Sequence, residues 1–237
     1  MSTEPSSTIS EAVPTTKRPR APRLASGGPI REAASALFLE QGYQGTSMDD
    51  VAARAGVSKQ TIYTHFANKE ELFEDLVLGN AGRVEEFIAT MRSTFDDAPD
   101  AETGLRAVAQ LYIRFVIRPE VLRLRRLVLG EAGRFPNLAR RYYSAVPERT
   151  YAALAELIGG LADRGFLKVE DPVLAAHHFA WLALGLPLDQ AMFDPDKLPQ
   201  LAMLDKLARA AVDVFVSAYA RPDHGGRGPE SGAERAS

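Results

Sequence analysis

The chain has no cysteine among its 237 residues. That excludes a disulfide framework, a Cys-ligated zinc site, an iron–sulfur cluster and a cysteine nucleophile. Long apolar runs are missing as well. The longest, Phe179 to Leu188, carries Gly185 and Pro187 and is about half of what a bilayer span needs. The opening MSTEPSSTISEAVPTTK has no apolar stretch, so no secretory signal is expected. Sustained alternation of β-branched residues is absent, and with it the mark of half-buried strands. There is no Gly-rich phosphate loop, no HExxH pair and no plausible Ser–His–Asp set, which argues against an enzyme. The expectation is a soluble, cytoplasmic protein that uses no cofactor and contacts no membrane.

Strong charge of one sign is also lacking, since 28 bases stand against 31 acids, a net −3. That average hides an asymmetry. From Lys17 to Lys69 there are eight bases and four acids, a local +4. The first sixteen residues hold two acids and no base, and the rest of the chain holds 20 bases against 25 acids. A basic front joined to an acidic body suggests that the front meets a polyanion.

What is present is helical periodicity. Ile30, Ala33, Ala34, Ala36, Leu37 and Phe38 form one apolar face, and similar faces recur to the end of the chain. The fold class read from this is all-α, with roughly nine helices. Residues 1–27, rich in Ser, Thr and Pro and basic from Lys17 to Arg23, read as a disordered arm. Residues 28–76 read as a small head, 77–221 as a larger body and 222–237 as a disordered tail.

The run TSMDDVAARAGVSKQTIYTHFANKEELF, Thr46 to Phe73, carries the chemistry. Ser47 and Asp50 mark a helix start. Val51, Ala52 and Ala55 form its inner face, and Gly56 suits a tight turn. Ser58 caps a second short helix with Ile62 and Phe66 inside, and Asn68 caps a third. Two short helices across a Gly turn make a helix-turn-helix. An αα-hairpin of purely structural use would share that outline. The second helix turns Lys59, Gln60, Thr61 and Thr64 outward, where a recognition helix reaches base edges in a major groove. Tyr63, His65 and Lys69 lie further round, within reach of phosphates. Thr46 and Ser47, with the free N–H groups of the first short helix, can hold another phosphate.

Residues 30–76 resemble the DNA-binding domain of the TetR/AcrR family of transcriptional regulators. The likeness rests on that run, above all Tyr63-x-His65-Phe66 and Asn68-Lys69, with Phe38, Gly42 and Tyr43 upstream. RLVLGEAGRFPNLARRYY, Arg126 to Tyr143, resembles the C-terminal domain of the AefR-like subgroup. The resemblance implies a homodimeric repressor with a three-helix head and a ligand-binding, dimerising body. Asp49 departs from the pattern, because some members place a base-reading Arg there.

For the body, the resemblance implies an effector pocket drawing on Tyr112, Phe115, Leu127, Glu131, Phe135, Tyr143, His177 and Trp181. Such a lining suits a small hydrophobic or amphipathic molecule, although aromatics at helical spacing also make ordinary core. No metal site is expected. His177 and His178 are adjacent, roughly 100° apart on a helix, and neither has a ligating partner three or four residues away. Leu201, Leu204, Ala208, Val212 and Phe215 form a continuous stripe on the last helix. Its partner is a symmetry mate, as the resemblance implies, or another helix of the same chain.

The function expected is therefore a ligand-released repressor that binds a near-palindromic double-stranded DNA operator as a homodimer. The alternatives are an activator or ligand-blind regulator of the same fold and, remotely, an all-α enzyme acting on a hydrophobic small molecule.

Overall fold

A computed structural model describes residues 27–79, 81–194 and 200–221. The expected basic arm and C-terminal tail lie outside them, apart from Gly27. The fold is all-α. Helices α1 (Gly28–Gly45), α2 (Met48–Ala55), α3 (Lys59–His65) and α4 (Lys69–Gly79) lead into α5 (Ala81–Asp96), α6 (Ala101–Val116) and α7 (Pro119–Gly130). These are followed by α8 (Pro136–Tyr143), a π-helical turn (Ser144–Glu148), α9 (Arg149–Asp163), α10 (Pro172–Phe193) and α11 (Leu201–Tyr219). The segment expected as one helix from Lys69 to about Met91 is described as α4 and α5, on either side of residue 80. The one expected from Pro136 toward Gly160 is α8 and α9, joined by the π turn.

Local chemistry sets the helix ends. The Ser47 hydroxyl accepts the Asp50 N–H at 3.1 Å, while the Asp50 carboxylate accepts the Ser47 N–H at 3.1 Å, a reciprocal capping box. Ser58 accepts from the Thr61 N–H, and Asn68 from the Glu71 N–H. Between α2 and α3, Gly56 takes φ +65°, open to glycine without strain. Pro147 sits inside the π turn. A proline cannot donate to the preceding turn, and the wider π turn accommodates its ring.

The sequence suggests that α10 ends near Leu184, short of Pro187, but it runs on to Phe193. Leu184, Leu188 and Ala191 share its buried face, so continuing the helix keeps that apolar face inside at the cost of one backbone hydrogen bond.

Two apolar clusters organise the molecule. One, from Ile30 to Val77, holds Phe38, Ile62 and Phe73 at its centre and extends onto Leu124, Val128, Leu138 and Tyr142 of α7 and α8. The other fills the body between α5, α6, α9, α10 and α11. The stripe expected to form a dimer contact falls here. Leu204, Ala208, Val212 and Phe215 are buried within this single chain, and Phe215 packs edge-on against Phe179 at 5.2 Å. Their partner is in-chain, because α11 lies against α6 and α10. Of the five, only Leu201 is open, at 65% exposure.

Candidate nucleic-acid interface and effector site

Helix α3 stands on the head surface with Ile62 as its buried anchor. Helical geometry then turns Lys59, Gln60, Tyr63 and Thr64 outward together. All four are exposed, Tyr63 at 44%, while Thr61 is half-buried. Two of the threonine hydroxyls are occupied locally. That of Thr61 meets the Ser58 hydroxyl at 2.8 Å, and that of Thr64 donates to the Gln60 carbonyl at 2.9 Å. Lys59 is paired with Asp49 of α2 at 2.7 Å. That contact holds the Lys59 proton on, pushing its pKa up. The acid that departs from the family pattern thus partly neutralises the face.

The residues assigned to phosphate differ in presentation. Tyr63 is free on the surface, and Ser47 is exposed at the α2 N-terminus with its hydroxyl in the capping box. Thr46 is 2% exposed and donates its hydroxyl to the Gly42 carbonyl at 2.9 Å; it holds the α1–α2 corner. The Lys69 ammonium turns inward, donating to the Tyr43 and Thr46 carbonyls at 2.8 Å each, and lies 4.2 Å from the Tyr43 ring centre. Burial, with Arg134 nearby, pushes its pKa down, and Glu131 opposes this. His65 is half-buried beside Phe66, and its Nε2 has no hydrogen-bond partner among the described residues.

The eight residues assigned to an effector pocket fall into separate places rather than around one cavity. Leu127, Glu131 and Phe135 face the head. Leu127 packs on the head cluster, and Phe135 meets Tyr43 at 4.8 Å and Phe73 at 5.7 Å. Glu131 lies in the electrostatic field of Tyr43 and Lys69. The cause is periodicity: Leu124, Leu127 and Val128 share one face of α7, Glu131 follows at its C-terminal end, and α7 meets α1. Tyr112 is buried in the body and hydrogen-bonded to Tyr151, and burial holds its hydroxyl far above the ordinary tyrosine range. The His177 ring lies 4.5 Å from that of Tyr151. Tyr143 and Trp181 are exposed, the latter at 52%.

Phe115 lines a cleft between head and body. This cleft of about 130 Å³ lies where α1 and α4 meet α5, α6, α7 and the π turn. Among its polar residues, Arg83, Arg118 and Tyr142 were not singled out from the sequence. Nothing in local pattern reveals them, since three helix ends distant in sequence bring them together.

The resemblance also implies a four-helix dimer contact built from the last two helices, although, Leu201 apart, the residues that α10 and α11 expose were not named for it. Leu174, Trp181, Leu182 and Leu186 of α10 are exposed, as are Met203 and Val214 of α11. A signal was present in α10, which is apolar on every side. A helix of that kind is covered all round, whereas its own chain covers one face.

The family comparisons agree with this architecture. A family model described as "Bacterial regulatory proteins, tetR family" matches residues 30–76, and one described as "AefR-like transcriptional repressor, C-terminal domain" matches 103–221. The chain is 33% identical over 97 residues to the HTH-type transcriptional activator FasR of Mycolicibacterium smegmatis, covering 41% of this chain and 43% of FasR. It is 40% identical over 52 residues to the HTH-type transcriptional repressor KstR2 of Mycobacterium tuberculosis, covering 22% of this chain and 26% of KstR2. These matches thus span less than half of the curated relatives. Solved structures align over more of the chain. A TetR-family transcriptional regulator from Mesorhizobium loti superposes with a TM-score of 0.76 at 38% identity, covering 82% of this chain and 96% of that one. The Flavonoid-responsive Regulator FrrA superposes with a TM-score of 0.66 at 30% identity, covering 82% and 97%.

Proposed function

The chain belongs to the TetR family of transcriptional regulators, and from that premise we propose that it is a ligand-responsive repressor acting as a homodimer on a near-palindromic operator. The observation that carries the reading is the outward face of α3, with Lys59, Gln60, Tyr63 and Thr64 exposed beside α2 across the Gly56 turn. A dimer presents two such helices to successive major grooves. The exposed apolar faces of α10 and α11 are the surface proposed for that dimer. No helix among the described residues is long and apolar enough to cross a membrane, and the proposed place of action is the cytoplasm. Catalysis forms no part of the proposal.

Release by a ligand requires the body to move the head. Three contacts support such coupling: Phe135 among the head aromatics, Arg134 over the Tyr43 ring, and the Arg141–Glu74 ion pair between α8 and α4. An effector that fits one arrangement of this junction better than another shifts the head's fit to DNA. FrrA is named a flavonoid-responsive regulator, in line with the small hydrophobic or amphipathic effector proposed here.

The test is a gel shift with duplex DNA from upstream of the protein's own gene. A specific complex is expected, lost when Gln60→Ala is combined with Tyr63→Ala. Binding that survives the pair removes α3 as the reader. FasR is named an activator, which favours activation as the second reading. A promoter–reporter fusion with and without the protein decides the direction.

A further inference from the structure

The cleft between head and body carries polar groups that packing alone does not explain. Leu39 and Leu76 wall it from the head, and Phe115 and Leu124 from the body. Arg83 and Arg118 line it too, and neither forms an ion pair among the described residues. The Arg118 guanidinium lies 5.1 Å from the Phe115 ring centre, so cation and apolar wall are adjacent. Glu120 is the one acid in the lining and is bonded to neither arginine, leaving the two cations in excess. Tyr142 also lines the cleft. It is only 7% exposed.

An apolar slot with guanidinium groups at its edge matches an amphipathic anion, since arginine pairs with a carboxylate through parallel N–H bonds. Size narrows the class. An apolar cavity of about 150 Å³ holds one benzene ring, and this one is about 130 Å³. We propose that the cleft is a binding site for a small organic carboxylate, its single ring or short acyl chain seated between head and body and its carboxylate held by Arg83 and Arg118. The occupant touches α1 and α4 on one side and α6 and α7 on the other, so its affinity depends on the gap between them. The site stands on the cavity itself; its regulatory effect rests on the ligand-responsive reading above.

The experiment is calorimetry on the full chain with benzoate and hexanoate, set against benzyl alcohol and hexanol. Saturable binding of at least one acid is expected, with its neutral counterpart roughly tenfold weaker or more. Arg118→Gln and Arg83→Gln each weaken the acid by a similar factor and leave the alcohol unchanged. Val121→Trp fills the cleft and abolishes binding, with circular dichroism reporting that the chain still folds. The site is overturned if neither acid saturates at millimolar concentration. It is equally overturned if binding is undiminished in both arginine variants, or in a folded Val121→Trp chain. DNA binding is read separately, by the gel shift. An acid that binds as expected yet leaves the DNA complex intact supports the site and overturns its regulatory reading. A protein that never shifts its upstream DNA overturns the DNA-binding reading and leaves the calorimetric result standing.

Discussion

The Lys69 ammonium sits on two main-chain carbonyls and a tyrosine ring, at the corner where α1 gives way to α2. In that position it fixes the head's shape before it meets any phosphate. Lys69→Met leaves the Thr46 carbonyl without this donor and the Tyr43 carbonyl with only the Thr46 N–H at 3.4 Å, and a stability loss of about 1–3 kcal/mol is expected, measured by thermal melting without DNA. An unchanged melting point paired with weaker DNA binding would instead make Lys69 a phosphate ligand only. Asp49 poses the opposite case. It is exposed on the face proposed for DNA and bonded to Lys59, so on that reading it withholds a cation from the duplex. Asp49→Asn is expected to raise DNA affinity and to steepen its salt dependence by about 0.9 in log–log slope, the value of one added phosphate contact. Fluorescence anisotropy across a salt series measures this; a shallower or unchanged slope means that Lys59 stays off the backbone.

Among the elements, helix starts were legible in the sequence because a cap is a local device. Ser47, Ser58 and Asn68 each accept from a backbone N–H three residues on, and three-residue spacing is visible in a string of letters. The end of α10 was not legible, because whether Pro187 stops the helix depends on Leu188 and Ala191 finding a core to enter. The caps also set a pH dependence. The Ser47 hydroxyl and N–H hold the Asp50 carboxyl below its ordinary range, and the Thr103 N–H and hydroxyl do the same for Asp100. A depressed folded-state pKa means that the unfolded chain binds protons first as pH falls. The caps therefore contribute fully above the ordinary carboxylate range, and their contribution disappears as pH drops through the folded values. From about pH 5 down to about pH 2 the melting point falls. In the Asp50→Asn, Asp100→Asn double variant it starts lower and falls less. A double variant as acid-sensitive as the parent would place that sensitivity in other carboxylates.

At the scale of the whole molecule, the sequence stripe on α11 was correctly read as needing a partner, yet periodicity carries no information on whether that partner lies in the same chain. The fold answers for the stripe, since Leu204, Ala208, Val212 and Phe215 are core, and passes the question to the opposite faces. There Trp181 and Leu186 of α10 stand exposed, as do Met203 and Val214 of α11, apolar exposure of the kind that marks an interface. Two substitution sets separate the faces. Trp181→Glu with Leu186→Glu is expected to halve the mass seen by light scattering while leaving the melting of the monomer cooperative. DNA affinity then drops by roughly a hundredfold, because the second head is no longer tethered near its half-site. Phe215→Ala instead opens a cavity and costs about 3–5 kcal/mol, and the folded fraction that remains is still dimeric. If the glutamate pair leaves a dimer intact while Phe215→Ala dissociates it without unfolding, the interface follows the stripe after all, and α11 must leave its own chain to form it.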